Sequence, residues 1–229
     1  MNLVTRGIVM TISENIAEIR KTLPKDVTLI CVSKTKPVEL LLQAYDCGER
    51  NFGENKVQEL VSKYEEMPKD VKWHLIGKLQ RNKVKYIVGK VKLIHSLDNI
   101  KLLEEIERVY KNKELTAEVL IQINIGREES KSGILLEDLQ ELLISCEKCS
   151  NVKVMGIMAI IPKGTTKENM MYFKQMKDIF DEMSTKNFKN ISMKYLSMGM
   201  SSDYTEAIKE GANIIRVGRN IFGEREYKS

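Results

Sequence analysis

The sequence is poor in the features that mark secreted and membrane proteins. It contains only four cysteines, and no long apolar stretch follows Met1–Arg6, so neither a disulfide framework nor a secretory signal is predicted. The longest uncharged runs, such as Met155–Pro162, fall far short of the roughly 20 residues of a membrane-spanning helix. These absences predict a cytoplasmic protein with reduced thiols.

The spacing of a metal site is also missing. Cys146 and Cys149 form a CxxC, but no second close pair of cysteine or histidine accompanies it, and the two histidines, His74 and His95, are isolated. A structural zinc site needs four such ligands. The sequence therefore predicts no bound metal and an inert CxxC.

Charge of one sign is not concentrated anywhere. The sequence has 37 Lys and Arg against 32 Asp and Glu, a net charge of +5, and the two signs alternate through most helical segments. Such mixing is typical of a solvated surface rather than of a face that binds nucleic acid or a membrane. Because no heptad repeat or long apolar patch is visible, a monomer is expected.

The sequence does contain a regular alternation of predicted strands and helices. Nearly continuous apolar runs, typical of buried parallel strands, alternate with segments of helical periodicity. The predicted strands are Val27–Ser33, Asn51–Gly53, Val71–Ile76, Lys92–His95, Ala117–Ile125, Val152–Ile160, Lys194–Ser197 and Ile214–Val217.

Eight such units predict one domain over residues 1–229, a single (β/α)8 TIM-type barrel. Length alone does not decide the number of domains, because at roughly 150 residues per domain a chain of 229 residues could form one domain or two. Gly218–Ser229 is too short for a full last helix, and the amphipathic segment Ile12–Lys21 is expected to supply an extra N-terminal helix in its place. A doubly wound open sheet is the alternative, but no G-x-G-x-x-G follows the first strand.

The functional site of such a barrel lies at the carboxyl ends of its strands, and Lys34 follows the first of them. A lysine that is partly desolvated at a barrel mouth has a lowered pKa and a nucleophilic amine, as Schiff-base chemistry requires. The alternative is an ordinary rim lysine. Its neighbour Lys36 is expected to face solvent.

The loops after strands seven and eight are the usual phosphate site of this fold. Ser197–Asp203 is rich in serine and glycine and leads into a helix, so Ser201 can donate a hydroxyl and the helix end its N–H groups. Gly218 allows close backbone approach, and the N–H of Arg219 can join it. A phosphate site opposite a Schiff-base lysine suggests pyridoxal 5′-phosphate (PLP) or a phosphosugar aldolase.

Arg216, in the last strand, favours PLP over the aldolase. A cationic donor that faces a pyridine nitrogen keeps this nitrogen unprotonated, which weakens the ring as an electron sink. The alternative is an arginine paired with a carboxylate of the barrel. His74 could pack or contact a cofactor, and for His95 packing is favoured.

Several motifs together resemble the PLP homeostasis protein family, also called proline synthetase co-transcribed protein homologues. The resemblance covers essentially the whole chain, and it implies an alanine racemase N-terminal-like barrel. The motifs are Cys31-Val-Ser-Lys-Thr-Lys-Pro37, Asn51-Phe-Gly-Glu-Asn-Lys-Val-Gln-Glu59, Trp73-His-Leu-Ile-Gly-Lys-Leu-Gln-Arg-Asn-Lys83, Gly156-Ile-Met158, Leu196-Ser-Met-Gly-Met-Ser-Ser-Asp203, Ile215-Arg-Val-Gly218 and Ile221-Phe-Gly223.

The resemblance assigns a role to each matching residue. It implies that Lys34 holds PLP as a Schiff base and that Arg216 faces the pyridine nitrogen. The other implied contacts are Asn55 beside the cofactor, Met158 and Ser197 along the ring, and Ser201, Gly218 and Arg219 at the phosphate. The family commonly has a small hydroxyl residue where Arg219 stands, so this side chain either adds charge to the phosphate or points to solvent.

The implied function is PLP homeostasis, by buffering the cofactor or delivering it to PLP-dependent apo-enzymes, without robust turnover. A PLP-dependent amino-acid racemase is the alternative. Racemisation needs an acid/base group on each face of the substrate, and in alanine racemases a tyrosine from a second domain serves the second face. This sequence shows no such domain, and Tyr45, Tyr64 and Tyr172 lie in helical segments.

Overall fold

The computed structural model describes residues 10–224, and in these residues eight parallel strands close into a barrel in sequence order. The predicted (β/α)8 barrel is confirmed. Its strands are β1 (Thr28–Val32), β2 (Asn51–Glu54), β3 (Lys72–Leu75), β4 (Val91–Leu97), β5 (Ala117–Ile123), β6 (Val152–Ala159), β7 (Ile191–Met200) and β8 (Ile214–Val217).

Helices surround the barrel and alternate with the strands. They are α1 (Ile12–Thr22), α2 (Val38–Asp46), α3 (Val57–Glu66), α4 (Val84–Ile87), α5 (Ile100–Lys111), α6 (Leu136–Glu147), α7 (Thr166–Ser184), α8 (Tyr204–Lys209) and α9 (Arg219–Phe222). The helix between β3 and β4 is short: it begins as a 3₁₀ turn, Arg81–Lys83, and is followed by Gly89 at φ +73°, which glycine adopts at little cost.

The N-terminal helix α1 completes the outer ring, as the sequence analysis expected. Thr11 and Glu14 form a capping box at its start, and Ile12, Ile16 and Ile19 are buried on one face. The helix packs against α2 and α9, and the Asn15 side-chain amide donates to the Ile221 carbonyl at 3.1 Å. It therefore fills the gap that the short α9 leaves between β8 and β1.

Side chains of the strands divide between two apolar layers. Those that point outward pack under the helices, whereas Ile30, Leu93, Leu120, Met158 and Ile214 form a small cluster inside the barrel. We call this group the interior cluster. Among the described residues, none of the helices has both the length and the apolar character needed to cross a bilayer.

Candidate functional site

The alternation of β1 brings Lys34 to the interior side of the barrel mouth. Ile30 belongs to the interior cluster, and Val32 lies against Gly218, where an added Cβ would be 3.2 Å from the Val32 Cβ. Lys34 follows two residues later and is half-buried. Its place at the end of β1 thus agrees with the prediction of a lysine at the mouth.

Lys36 differs from its expected place in solvent. It is half-buried, and its ammonium donates to the Glu224 carbonyl at 2.6 Å. This contact ties the loop after β1 to the end of the described chain.

The turn that carries Lys34 is strained at Thr35. This residue has a φ of +64°, which is unusual for a β-branched side chain. The Thr35 N–H donates to the Glu59 carboxylate at 2.5 Å. A hydrogen bond from α3 therefore holds the backbone immediately after Lys34 in an unfavourable conformation.

A buried ammonium holds the other side of the same turn. Lys63 of α3 donates to the Ser33 carbonyl at 2.8 Å, to Glu54 at 2.8 Å and to Glu59 at 2.7 Å. Its side chain is 6% exposed, and that of Glu54 is fully buried. We call Lys63, Glu54 and Glu59 the ionic brace, because they grip the backbone at Ser33 and Thr35, on both sides of Lys34.

The ionic brace is electrostatically costly. Burial raises the pKa of Glu54, and the charge and hydrogen bonds of Lys63 and Ser33 oppose this shift. One oxygen of the Glu54 carboxylate, Oε2, has no hydrogen-bond partner. Since removal of one partner leaves an uncompensated buried charge, Lys63 is essential for the arrangement.

Arg216 is the charged group of the barrel interior. It pairs in register with Ile30, is buried, and donates to Ser197 Oγ at 2.6 Å and to the Ala159 carbonyl at 2.8 Å. No carboxylate among residues 10–224 forms an ion pair with it. The alternative of an arginine paired with a carboxylate of the barrel is therefore not what the described residues show. Burial lowers the pKa of Arg216 to about 10, and Asp203 opposes the shift, so it stays cationic at neutral pH.

A row of hydrogen bonds extends from Arg216 across the barrel interior. Ser197 Oγ lies 3.1 Å from His95 Nδ1, His95 Nε2 lies 3.0 Å from His74 Nδ1, and His74 Nε2 lies 3.2 Å from Asn51 Oδ1. We call Arg216, Ser197, His95, His74 and Asn51 the polar row. The expectation that His95 simply packs is therefore incomplete, because both of its ring nitrogens are bonded.

Both histidines of the polar row are neutral at neutral pH. Burial lowers the pKa of His74 to about 3, with further lowering by Lys92 and Lys72. Burial, His74 and Arg216 lower the pKa of His95 well below its ordinary value. Neither ring therefore adds charge to the interior.

The two loops predicted to hold a phosphate contact each other. The Gly218 N–H donates to Ser201 Oγ at 3.2 Å, and the Asn220 side chain donates to the Ser201 carbonyl at 3.0 Å. In the loop after β7, the Asp203 carboxylate accepts from the Met200 N–H at 2.6 Å and so closes the turn that carries Ser201. Burial raises the pKa of Asp203, and the Met200 hydrogen bond opposes the shift.

Gly218 cannot be replaced without moving β1. A Cβ at this position would lie 2.9 Å from the Val32 carbonyl oxygen. Close packing against β1 therefore requires a glycine at position 218. Arg219 directs its side chain outward, where it is 67% exposed and pairs with Glu224 at 3.2 Å, so of the two roles considered for this side chain the structure has the one in solvent.

The remaining predicted residues border the same mouth. Met158 is buried and lies in register with Ser197. Asn55 follows β2 and is half-buried, and a Cβ on Gly77 would lie 2.3 Å from its carbonyl oxygen. The structure therefore places all eight predicted residues at or just below the carboxyl ends of the strands.

Sequence reasoning missed the ionic brace. A signal was present, since Glu59 and Lys63 stand four residues apart on one helix, which is typical of an ion pair. Nothing in the sequence indicated that this pair would turn inward to Glu54 and Ser33.

The two cysteines of the CxxC have weakly acidic thiols. Mainly by burial, the pKa of Cys146 is raised to about 12 and that of Cys149 to about 11, which agrees with the prediction of an inert CxxC.

Comparisons with known proteins identify relatives of the whole barrel. The family model of the alanine racemase N-terminal domain matches residues 9–226. A pyridoxal phosphate homeostasis protein of Aquifex aeolicus (strain VF5) is 46% identical over 202 residues, which cover 87% of each protein.

Solved structures show the same fold. PipY of Synechococcus elongatus PCC7942 is 36% identical, and its structure with PLP bound superposes with a TM-score of 0.86 over 93% of this chain and 100% of PipY. An alanine racemase of Clostridium difficile 630 is 17% identical, with a TM-score of 0.75 over 96% of this chain and 57% of the racemase. The likeness to the racemase is one of fold alone.

The ionic brace yields a prediction for stability. Lys63→Met should lower the free energy of unfolding by about 3–5 kcal/mol, because Glu54 keeps a buried charge without its partner. The exposed Lys69→Met is the matched control and should change it by less than about 0.5 kcal/mol. Urea denaturation of both variants measures the difference, and equal values would show that Lys63 carries no buried charge pair.

The neutral histidines yield a prediction for pH. Because the pKa of His74 falls from 6.5 when unfolded to about 3 when folded, only the unfolded chain gains protons between these values. Stability is therefore lost as pH falls from 6.5 towards 3, by up to about 1.4 kcal/mol per pH unit for each histidine.

Urea denaturation between pH 7 and pH 5 tests this dependence. The double variant His74→Gln/His95→Gln lacks both histidines of the chain and keeps every carboxylate, so it is the control. The wild type should lose stability more steeply than the double variant. Parallel profiles would mean that the histidines titrate normally in the folded protein.

Proposed function

The chain belongs to the family of pyridoxal phosphate homeostasis proteins, built on the alanine racemase N-terminal domain, and from this premise we propose that it binds PLP and buffers or delivers it without robust turnover. The observation that carries the proposal is the relation to PipY, whose structure with PLP bound matches over the full length of PipY. The names of the relatives denote homeostasis of the cofactor rather than a reaction.

The residues of the mouth fit this cofactor. Arg216 is a buried cation with two hydrogen bonds to protein oxygens, and an arginine has five N–H donors. Donors therefore remain for an acceptor such as a ring nitrogen. The joined loops at Ser201 and Gly218 present a hydroxyl and backbone N–H groups, which suit a phosphate.

Lys34 is the proposed attachment residue. When bound, PLP supplies an aldehyde that condenses reversibly with a lysine amine to a Schiff base and releases one water. The ionic brace fixes the backbone on both sides of Lys34, and this orients the amine.

Arg216 is proposed to donate a hydrogen bond to the ring nitrogen. Because its pKa of about 10 keeps the guanidinium protonated at neutral pH, the ring nitrogen meets a donor and stays unprotonated. This weakens the ring as an electron sink and supports storage of the cofactor over carbanion chemistry.

The rest of the site is proposed to hold the cofactor in place. Ser201, Gly218 and the Arg219 N–H would bind the phosphate, whereas Met158, Ser197 and Asn55 would line the ring. We further propose that residues 1–229 form one PLP-binding domain, that apo-enzymes receive the cofactor, and that the protein is cytoplasmic.

A monomer is also part of the proposal. The exposed large apolar side chains come from five separate segments and form no long stripe, which supports it. They are Met10, Tyr86, Leu115, Leu136, Ile144 and Met171.

The alternative is a PLP-dependent racemase, which the fold likeness to alanine racemase favours. This activity requires a second acid/base group opposite Lys34. The tyrosines among residues 10–224 lie on helices, except Tyr195, which packs against the interior cluster and borders a cavity at the amino ends of the strands. The second group is thus not supplied by a described tyrosine.

The attachment residue can be tested by absorbance. The wild type loaded with PLP should show a visible band that borohydride abolishes, with the reduced label on the peptide that contains Lys34. Lys34→Ala should lose the band, whereas the control Lys36→Ala should keep it. A label elsewhere, or an unchanged band in Lys34→Ala, would contradict the proposal.

The absence of turnover can be tested by isotope exchange. Alanine incubated with the PLP-loaded protein in deuterium oxide should keep its Cα proton, because the second face lacks an acid/base group. Proton NMR and a chiral assay of alanine measure exchange and racemisation. Exchange with inversion at enzymatic rates would favour the racemase.

A further inference from the structure

We propose that His95 and His74 are positioning residues for the cofactor ring: as neutral rings in a row of one-way hydrogen bonds, they hold Arg216 as a donor at the base of the PLP site. This inference rests on the proposed function. It concerns residues that lie below the mouth and that do not themselves touch the cofactor.

The direction of each bond follows from the Asn51 end of the polar row. Asn51 Oδ1 is a carbonyl oxygen and can only accept, so His74 Nε2 donates to it. A neutral imidazole has a single N–H, and His74 Nδ1 must therefore accept from His95 Nε2.

Counting donors and acceptors in the same way determines the direction of the remaining hydrogen bonds of the row. His95 Nδ1 carries no proton and accepts from the Ser197 hydroxyl. Ser197 Oγ has then given its only proton away, and it presents lone pairs to the Arg216 guanidinium at 2.6 Å. All four bonds point in one direction, from Arg216 at the donor end of the row to the Asn51 carbonyl oxygen at its acceptor end.

This direction matters because no carboxylate among residues 10–224 forms an ion pair with Arg216. A buried cation needs acceptors that replace water. The row supplies one such acceptor, Ser197 Oγ, whose own hydrogen is directed at His95 and therefore cannot turn towards the guanidinium. If His95 were protonated, Ser197 would lose its acceptor and its hydroxyl could reorient. A carboxylate would hold the charge equally well, but it would add a negative charge below the pyridine nitrogen.

Burial, with a smaller contribution from charges at the far end of the row, keeps His74 neutral. A cavity of about 160 Å³ at the amino ends of the strands is lined by Asn51, His74, Lys72, Lys92 and Glu118, among others. Lys92 pairs with Glu118 at 2.6 Å, and both lysines disfavour a proton on His74. Since an asparagine ends the row and cannot pass a proton on, the row positions Arg216 and does not conduct protons.

Nitrogen-15 NMR tests the direction of the row on the wild-type protein. His74 and His95 are the only histidines, so labelling of histidine gives two rings. Both should be neutral Nε2–H tautomers at pH 7, and PLP loading should shift the His95 nitrogens through Arg216 and Ser197. A cationic ring, an Nδ1–H tautomer, or His95 signals that ignore PLP loading would overturn the proposal.

Two variants test the effect on the cofactor. His95→Leu removes both bonds and should weaken PLP binding by about tenfold, the effect of one lost buried hydrogen bond, and shift the pH profile of the visible band. His95→Gln keeps one acceptor and one donor and should restore both towards wild type. An unchanged affinity and pH profile in His95→Leu, or no rescue by His95→Gln, would overturn the proposal.

The result is separable from the proposed function. If the wild type binds no PLP, the function is wrong, and the tautomers measured without PLP still decide whether the row has the derived direction. If the wild type binds PLP and the variants behave alike, only the role of the histidines is wrong. The NMR measurement needs no variant, so it decides even if His95→Leu does not fold.

Discussion

The site depends on a buried cation that forms no ion pair with any carboxylate in the described part of the chain. Arg216 lies inside the barrel, and its charge is met by a serine hydroxyl and a backbone carbonyl. Burial of a charge is tolerated only when its hydrogen-bonding capacity is used. Ser197 and the carbonyl end of β6 supply these acceptors, and both histidines support Ser197 through the polar row.

Two polar systems lie on opposite sides of the barrel wall near β1. The ionic brace lies outside the strands, under α3, and grips the backbone beside Lys34. The polar row lies inside and ends at Arg216, whose strand pairs with β1. The barrel wall thus separates a charged cluster that holds the backbone beside Lys34 from a row of hydrogen bonds that ends at the Arg216 guanidinium.

The fold could be predicted from sequence because its signals are local. Apolar runs of the length of a strand alternate with amphipathic segments, and the isoleucines of α1 have the spacing of a buried helix face. The sites at the strand ends follow from the fold, which is why Lys34 and Arg216 could be named. The ionic brace and the polar row could not, because each joins side chains from different elements, and irregular pairing of β4 with β3 and β5 means that strand periodicity alone does not fix the orientation of His95.

The pairing of β1 with β8 has a consequence for the order of assembly. Lys34 follows the first strand and Gly218 the last, and the two loops come together only when the barrel closes along this seam. Contacts between distant parts of a chain form late and slowly, and synthesis releases the amino-terminal strand first. A nascent chain therefore carries Lys34 long before it has the loop at Gly218, and a site that needs both loops exists only in the finished barrel.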